Sequence, residues 1–385
     1  MKKLTGMLVA AVLLFALAAA GCGSSDKGDG GSTGDAKPAA KAADPAVAAA
    51  TTAVAKLTGA PTAWSGPTSG PAAVKGKNVV YISCGSFNDI CVRVGKSIQE
   101  AGKTLDWKVT VIDGKATTSG WLSAWNQALA LNPDGIIAFT DAEAMKVPIA
   151  KAKAKNIPVV GVLSTALPGP DEKLGLFTNV SQDPRTIGKA EAQYAIAKSN
   201  GTAKAVVLYA AQYTIARIKA DAMKAELAKC TGCKLVDYHN IDPSVLQAQS
   251  GPLVTGWVQK HGTPLWVLSV GDVLVSFMPS PLRSAGVDSS KVKMIAADGN
   301  ATAYDLIRKK QYQVATVPQP AGELGYQASD EMNRAFAGEP ATGFAPDLFM
   351  VDASNVEQYG GADNTFEPEN DYSGRYQKIW SGEGQ

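Results

Sequence analysis

Apolar residues recur along this chain in two alternating rhythms. Short runs rich in Val, Ile and Leu suit strands buried on both faces. Longer segments between them carry apolar residues three and four apart, the spacing of one helix face. The strand-like runs are Val79–Ser83, Lys108–Asp113, Gly135–Thr140, Pro158–Leu163 and Leu174–Val180, then Ala205–Tyr209, Leu235–Asn240, Leu265–Val270, Lys293–Ala297 and Gln313–Val317. Helical patterns at Ile90–Gly102, Thr118–Asn132 and Glu143–Lys155 separate the first set. Pro184–Ser199 opens the second, whose strands are linked by Thr214–Lys229, Ser244–His261, Val273–Ala285 and Ala301–Lys310. A helix Glu323–Ala337 and a lone strand Leu348–Val351 follow Pro318-Gln-Pro320. The alternation predicts an α/β fold of two Rossmann-like lobes with parallel sheets.

The unit Lys77–Ile98 shows the pattern at its clearest. Val79–Ile82 form a strand, Ser83-Cys84-Gly85-Ser86 break it, and Ile90, Val94 and Ile98 return at helical spacing. Ligands of open parallel sheets sit beyond the carboxyl ends of the strands. In the first set that rule selects Phe87, Asn88 and Asp89, then Thr117–Trp121, Asp141, Ser164 and the stretch Ser181–Asp183 that contains Gln182. In the second it selects Gln212, Tyr213, Asp272, Asp298, Asn300 and Gln319. Carboxylates and amides grip vicinal hydroxyls, and aromatic faces cover the apolar side of a ring, so this set suits a small polyhydroxylated ligand.

Composition narrows the choice further. The 385 residues carry a net charge of +2, with no basic stripe interleaved with aromatics, which excludes a nucleic-acid partner. The two histidines, His239 and His261, lie at no metal-ligand spacing. Nucleophile turn, P-loop and dinucleotide fingerprint are all missing, so the residues indicate a binding protein rather than an enzyme, with no cofactor.

The N-terminus reads as an export signal. Lys2-Lys3 precede the apolar run Leu8–Ala20, too short to span a bilayer, and Ala19-Ala-Gly-Cys22 follows. This resembles a bacterial lipoprotein signal (residues 1–22) whose cysteine is acylated, although Ala19 stands where Leu is usual. Lipidation at Cys22 would hold the protein at a membrane surface without spanning it. Residues 23–76 read as a flexible tether and extension of roughly 40 Å between its ends. Within it Pro45–Leu57 is expected to be helical, with Asp44 as its cap. Four cysteines remain in an exported chain, which suggests two disulfides. A Cys84–Cys91 bridge would brace the first ligand loop. Cys230-Thr-Gly-Cys233 reads as a structural bridge or a redox motif, and its place after a helix favours the bridge.

Residues 77–352 resemble the periplasmic sugar-binding proteins of the ribose-binding type, the solute receptors of ABC importers. The resemblance rests on the Lys77–Ile98 opening, Pro133-Asp-Gly-Ile-Ile-Ala138, Asn156-Ile-Pro-Val-Val160, Met294-Ile-Ala-Ala-Asp-Gly299 and Ala315-Thr-Val-Pro-Gln-Pro320, in that order. It implies a lobe of residues 77–181 plus 320–350 and another of 182–319 plus 351–385. Crossings would fall near Ser181–Asp183, Gln319–Gly322 and Leu348–Asp352, a three-strand hinge. It also implies ligand contacts at Asn88, Asp298 and Gln319. Asp272 reads either as a contact or as a helix cap. Three departures stand out. Leu163-Ser164 replaces a gripping Asp-Arg pair. The two ring-stacking aromatics fall on Ile90 and Cys91, leaving Phe87, Trp121 and Tyr213 as replacements. An Arg aligns with Lys219, and Arg217 is placed to substitute for it. The expected activity is capture of a monosaccharide or polyol by a monomer that hands it to an ABC permease. Presentation to a membrane kinase or chemoreceptor and thiol oxidoreduction are the alternatives.

Overall fold

A computed structural model describes residues 44–59, 63–360 and 365–383. The signal segment, Cys22 and the tether up to residue 43 lie outside the described residues. The first sheet is built from β1 (Asn78–Ser83), β2 (Lys108–Asp113), β3 (Gly135–Ala138), β4 (Val159–Val162), β5 (Gly169–Asp171) and β6 (Leu176–Val180). Its order is β2-β1-β3-β4-β6-β5, parallel except for the β5–β6 hairpin. The second holds β7 (Lys204–Tyr209), β8 (Lys234–Asn240), β9 (Leu265–Ser269), β10 (Val292–Asp298), β11 (Gln313–Pro318) and β12 (Val351–Asp352). Its order is β12-β11-β10-β9-β7-β8, with β12 alone antiparallel. The central strands β3, β4 and β9 are buried throughout, as their unbroken apolar runs require.

The chain changes lobes after each C-terminal strand of a set. Helix Pro184–Lys198 leaves β6 and packs on Thr214–Leu227 of the second lobe. Gly188 permits that contact, because a Cβ there would lie 2.1 Å from the Lys219 carbonyl oxygen. Helix Ala321–Ala337 leaves β11 and returns to the first lobe against Asp89–Thr104, and β12 goes back to β11.

Two segments depart from the expected layout. Residues 44–57 are not free tether: Asp44 caps Pro45–Leu57 through the Ala46 amide at 2.9 Å, and Ala50 and Val54 bury their side chains against the second lobe. Further on, Trp64 packs edge-on against Tyr376 at 5.4 Å. The carbonyl of Ser69 accepts from Arg334 at 2.7 Å, and Asn333 bonds the backbone of Pro71, Ala72 and Val74. The other departure is the tail. Helix Tyr372–Trp380, expected with the second lobe, lies on Ala321–Ala337 of the first, where Trp380 stacks on Tyr326 at 5.8 Å. Tyr376, Ile379 and Trp380 supply the apolar stripe that requires this. The polar side of Ala321–Ala337 is thus covered by the N-terminal strap, residues 64–74, and by the tail, and every residue from 321 to 334 is buried.

Candidate functional site

The first ligand loop is held from both ends. Cys84 and Cys91 are bonded, with Cα atoms 5.8 Å apart, and Trp121 Nε1 donates to the Cys84 carbonyl at 3.0 Å. Gly85 is required for close approach, since a Cβ would sit 2.9 Å from Ala116. This bracing leaves Phe87 and Asn88 facing a cavity of about 60 Å³ between the lobes. Asp89 turns aside and binds Arg93 Nε at 2.9 Å.

The polar floor comes from the second lobe. Asp298 closes β10 in a left-handed conformation (φ 94°), a strained geometry for a residue with a Cβ. Asp272 holds that turn in place. Its Oδ2 accepts from the amides of Gly299 and Asn300 at 2.8 and 3.0 Å and from Thr316 Oγ1 at 2.9 Å, while Oδ1 accepts from Gln313 Nε2 at 2.6 Å. Burial, with the nearby Asp298 charge, pushes Asp272 up to about 7 despite these donors. Asp272 is therefore a brace beneath the site; it does not line the cavity, and the helix Asp272–Val275 takes Gly271 as its cap position. Lys219 Nζ lies 3.5 Å from Asp298 Oδ1 and donates to the Val270 carbonyl at 3.1 Å. Burial raises the Asp298 carboxyl, and Lys219 opposes the rise. Gln319, 1% exposed, lines the cavity with an Nε2 that has no partner among the described residues. A buried donor left open in this way invites a ligand acceptor.

The cavity therefore brings together Phe87, Asn88, Tyr213, Asp298 and Gln319, and adds Lys219. Other predicted residues are spent elsewhere. Ser164 Oγ donates to the carbonyls of Ala138 and Val162. Gln182 Nε2 bonds the Asp347 carbonyl in the hinge at 2.6 Å. Asn300 caps Ala301–Arg308 through the Ala303 amide at 2.8 Å. Arg217 bonds the Ala211 carbonyl and Thr214 Oγ1, two positions round the helix from Lys219 and outside the cavity lining. Trp121 is fully buried under Tyr213, ring centroids 4.9 Å apart, so it backs the site without lining it.

Sequence reasoning passed over Lys219 in favour of Arg217. The available signal was the alignment together with the apolar stripe Ile215, Ala216, Ala220 and Met223, which places Lys219 on the buried face.

Groups from both lobes meet over this cavity. Arg93 Nη2 donates to the carbonyls of Asp298 and Gly299 at 3.4 and 3.1 Å, and the Thr214 amide donates to Asp141 Oδ2 at 2.5 Å. Ile215 of the second lobe joins the apolar cluster of Ile90, Phe139 and Leu163 of the first. The lobes are closed on one another. Among the described residues no cluster of His, Cys, Asp or Glu has the makings of a metal site, and no helix is long and apolar enough to cross a membrane. Cys230 and Cys233 are bonded beyond the end of Thr214–Leu227, and Cys230 is buried.

No curated protein matches the chain by sequence. Its fold is similar to that of an ABC transporter solute-binding protein from Agrobacterium vitis with bound allitol (17% identity, 74% of this chain and 98% of that one, TM-score 0.64). It is similar also to one from Mycobacterium smegmatis with bound glycerol (16%, 75% and 99%, TM-score 0.66). A third is from Burkholderia graminis in complex with D-arabinose (17%, 74% and 98%, TM-score 0.66). The family model of the periplasmic binding protein domain matches residues 79–340. The chain accordingly belongs to the periplasmic binding protein family, whose members work outside the cytoplasm and hold solutes without transforming them.

Proposed function

We propose that this protein is the lipid-anchored solute receptor of an ABC importer, capturing a monosaccharide or polyol between its lobes and presenting the closed form to a permease. The observation that carries this reading is the cavity itself. Both lobes line it, Asp298 and Lys219 stand on one wall, and the buried Gln319 Nε2 has no partner among the described residues. Carboxylate, ammonium and amide together supply the acceptors and donors that hydroxyl groups need. The likeness to proteins holding allitol, glycerol and D-arabinose supports the same ligand class. No covalent step is required, because a solute that binds the closed form better than the open one shifts the population by its differential affinity.

Calorimetric titration of the mature protein with allitol, glycerol, D-arabinose and a wider set of sugars and polyols tests the reading. Micromolar binding of at least one, abolished in Asp298→Asn, supports it; silence across the whole set refutes the carbohydrate assignment. Anchoring is tested separately, by the mass of the mature N-terminus and by release of a Cys22→Ala variant into the medium.

A further inference from the structure

Resting on that solute-binding reading, we propose that the ligand is polar along one edge and apolar over the rest: a deoxy sugar or a short deoxy polyol rather than a fully hydroxylated one. Asp298, Lys219 and Gln319 gather at one part of the cavity lining, and Asn88 and Tyr213 are its other polar side chains. Asp298 and Gln319 stand at or just beyond the ends of the neighbouring strands β10 and β11, and Lys219 touches Asp298. Asn88 is the first lobe's one amide there. Much of the remaining lining is apolar, and Ile90, Phe139 and Leu163 from the first lobe with Ile215 from the second belong to one continuous cluster.

None of these four side chains can answer a hydroxyl, and Tyr213, packed against the same cluster, is the one hydroxyl-bearing residue of the lining. Ser164, the adjoining hydroxyl side chain, has turned inward to the Ala138 and Val162 carbonyls and is 2% exposed. The Phe139 amide is taken by the Ile82 carbonyl and the Leu163 amide by Val180. Leu163 is also held at a positive φ of 52°, a conformation that L residues with large side chains rarely adopt. Such strain persists only where the surroundings over-determine it, so its seat in the wall is built rather than incidental. A ligand hydroxyl pressed against these side chains gives up its water and gains no partner. A methyl or methylene in the same place is buried at no such cost.

Matched pairs differing by one hydroxyl test this. The mature protein is titrated with L-rhamnose against L-mannose, L-fucose against L-galactose, and 1,2-propanediol against glycerol. In at least one pair the deoxy member is expected to bind about tenfold tighter or more. Leu163→Asn, with its fold checked by melting temperature, is expected to shrink that ratio; if the variant fails to fold, the wild-type ratios decide alone. Equal or tighter binding of the hydroxylated member in every pair that binds overturns the inference while leaving the solute-receptor reading intact. Absence of binding by all six overturns the inference as well, and then the wider titration set decides whether the receptor reading survives.

Discussion

The Arg93 guanidinium, on the first helix of the first lobe, donates to the Gly299 carbonyl of the second at 3.1 Å. The same side chain reaches the Asp298 carbonyl and pairs with Asp89 on its own helix, so one residue binds the strained turn that presents Asp298. A hydrogen bond from a charged group is worth about 1.5–3 kcal/mol. Arg93→Ala is therefore expected to weaken solute binding about tenfold or more through loss of the closed form, with a faster off-rate in stopped-flow. An unchanged off-rate would show that closure does not use this contact.

Glu191 carries a pH dependence. It lies on helix Pro184–Lys198, fully buried, and neither carboxyl oxygen has a partner among the described residues. Lys219, Asp272 and Asp298 are the charged groups around it, and burial raises its carboxyl well above the ordinary range. The folded protein then holds a proton that the unfolded chain has released. Stability is full below the unfolded carboxyl value and falls as pH rises toward the folded one. Glu191→Gln removes that loss, so it is expected to stabilise the protein at pH 8 by about 1 kcal/mol or more and to change little at pH 4. Urea denaturation at both values checks this, and a variant that is destabilised at pH 8 contradicts it.

Arg334 measures the worth of the N-terminal strap. It bonds the Ser69 carbonyl and pairs with the buried Asp330 at 2.8 Å, while Asp330 also accepts from Trp380 Nε1 at 2.9 Å. Truncating one partner of a buried pair strands the other charge, at a typical cost of about 3–5 kcal/mol. Arg334→Ala should lose stability on that scale and open the segment before Val74 to protease. A loss under about 1 kcal/mol would mean the strap lies on the surface without supporting it.

The two disulfides are expected to differ in effect. Cys84→Ser with Cys91→Ser frees the loop that carries Phe87 and Asn88 and should weaken solute binding by about tenfold, with stability lower by roughly 2 kcal/mol. The Cys230–Cys233 pair is outside the cavity lining, so removing it should leave the dissociation constant unchanged. Equal effects on binding would contradict the assignment of the first bridge to the ligand loop.

Much of the architecture was legible because its signals are local. Unbroken apolar runs and period-3.6 patterns mark the strands and helices, and the strand-end rule leads to Asp298, Gln319, Asn88 and Tyr213. The rule does not say which way a side chain turns. Ser164 and Asn300 occupy strand ends yet serve the backbone, because a short hydroxyl or amide finds a nearby carbonyl or amide first. Lys219 was hidden for the opposite reason: a buried lysine looks in sequence like a solvated one, and its partner Asp298 is 79 residues away. The strap has no periodicity at all between Trp64 and Val74. It is held by side chains of Asn333 and Arg334 reaching its backbone, an interaction that leaves no trace in the strap's own residues.

Small-angle scattering of the mature protein, with and without a saturating solute chosen by calorimetry, tests two-lobe capture most directly. The bound form should have the smaller radius of gyration and a profile matching the closed arrangement, in which Arg93 meets Gly299 and Thr214 meets Asp141. Superimposable profiles with and without bound solute would contradict capture by closure.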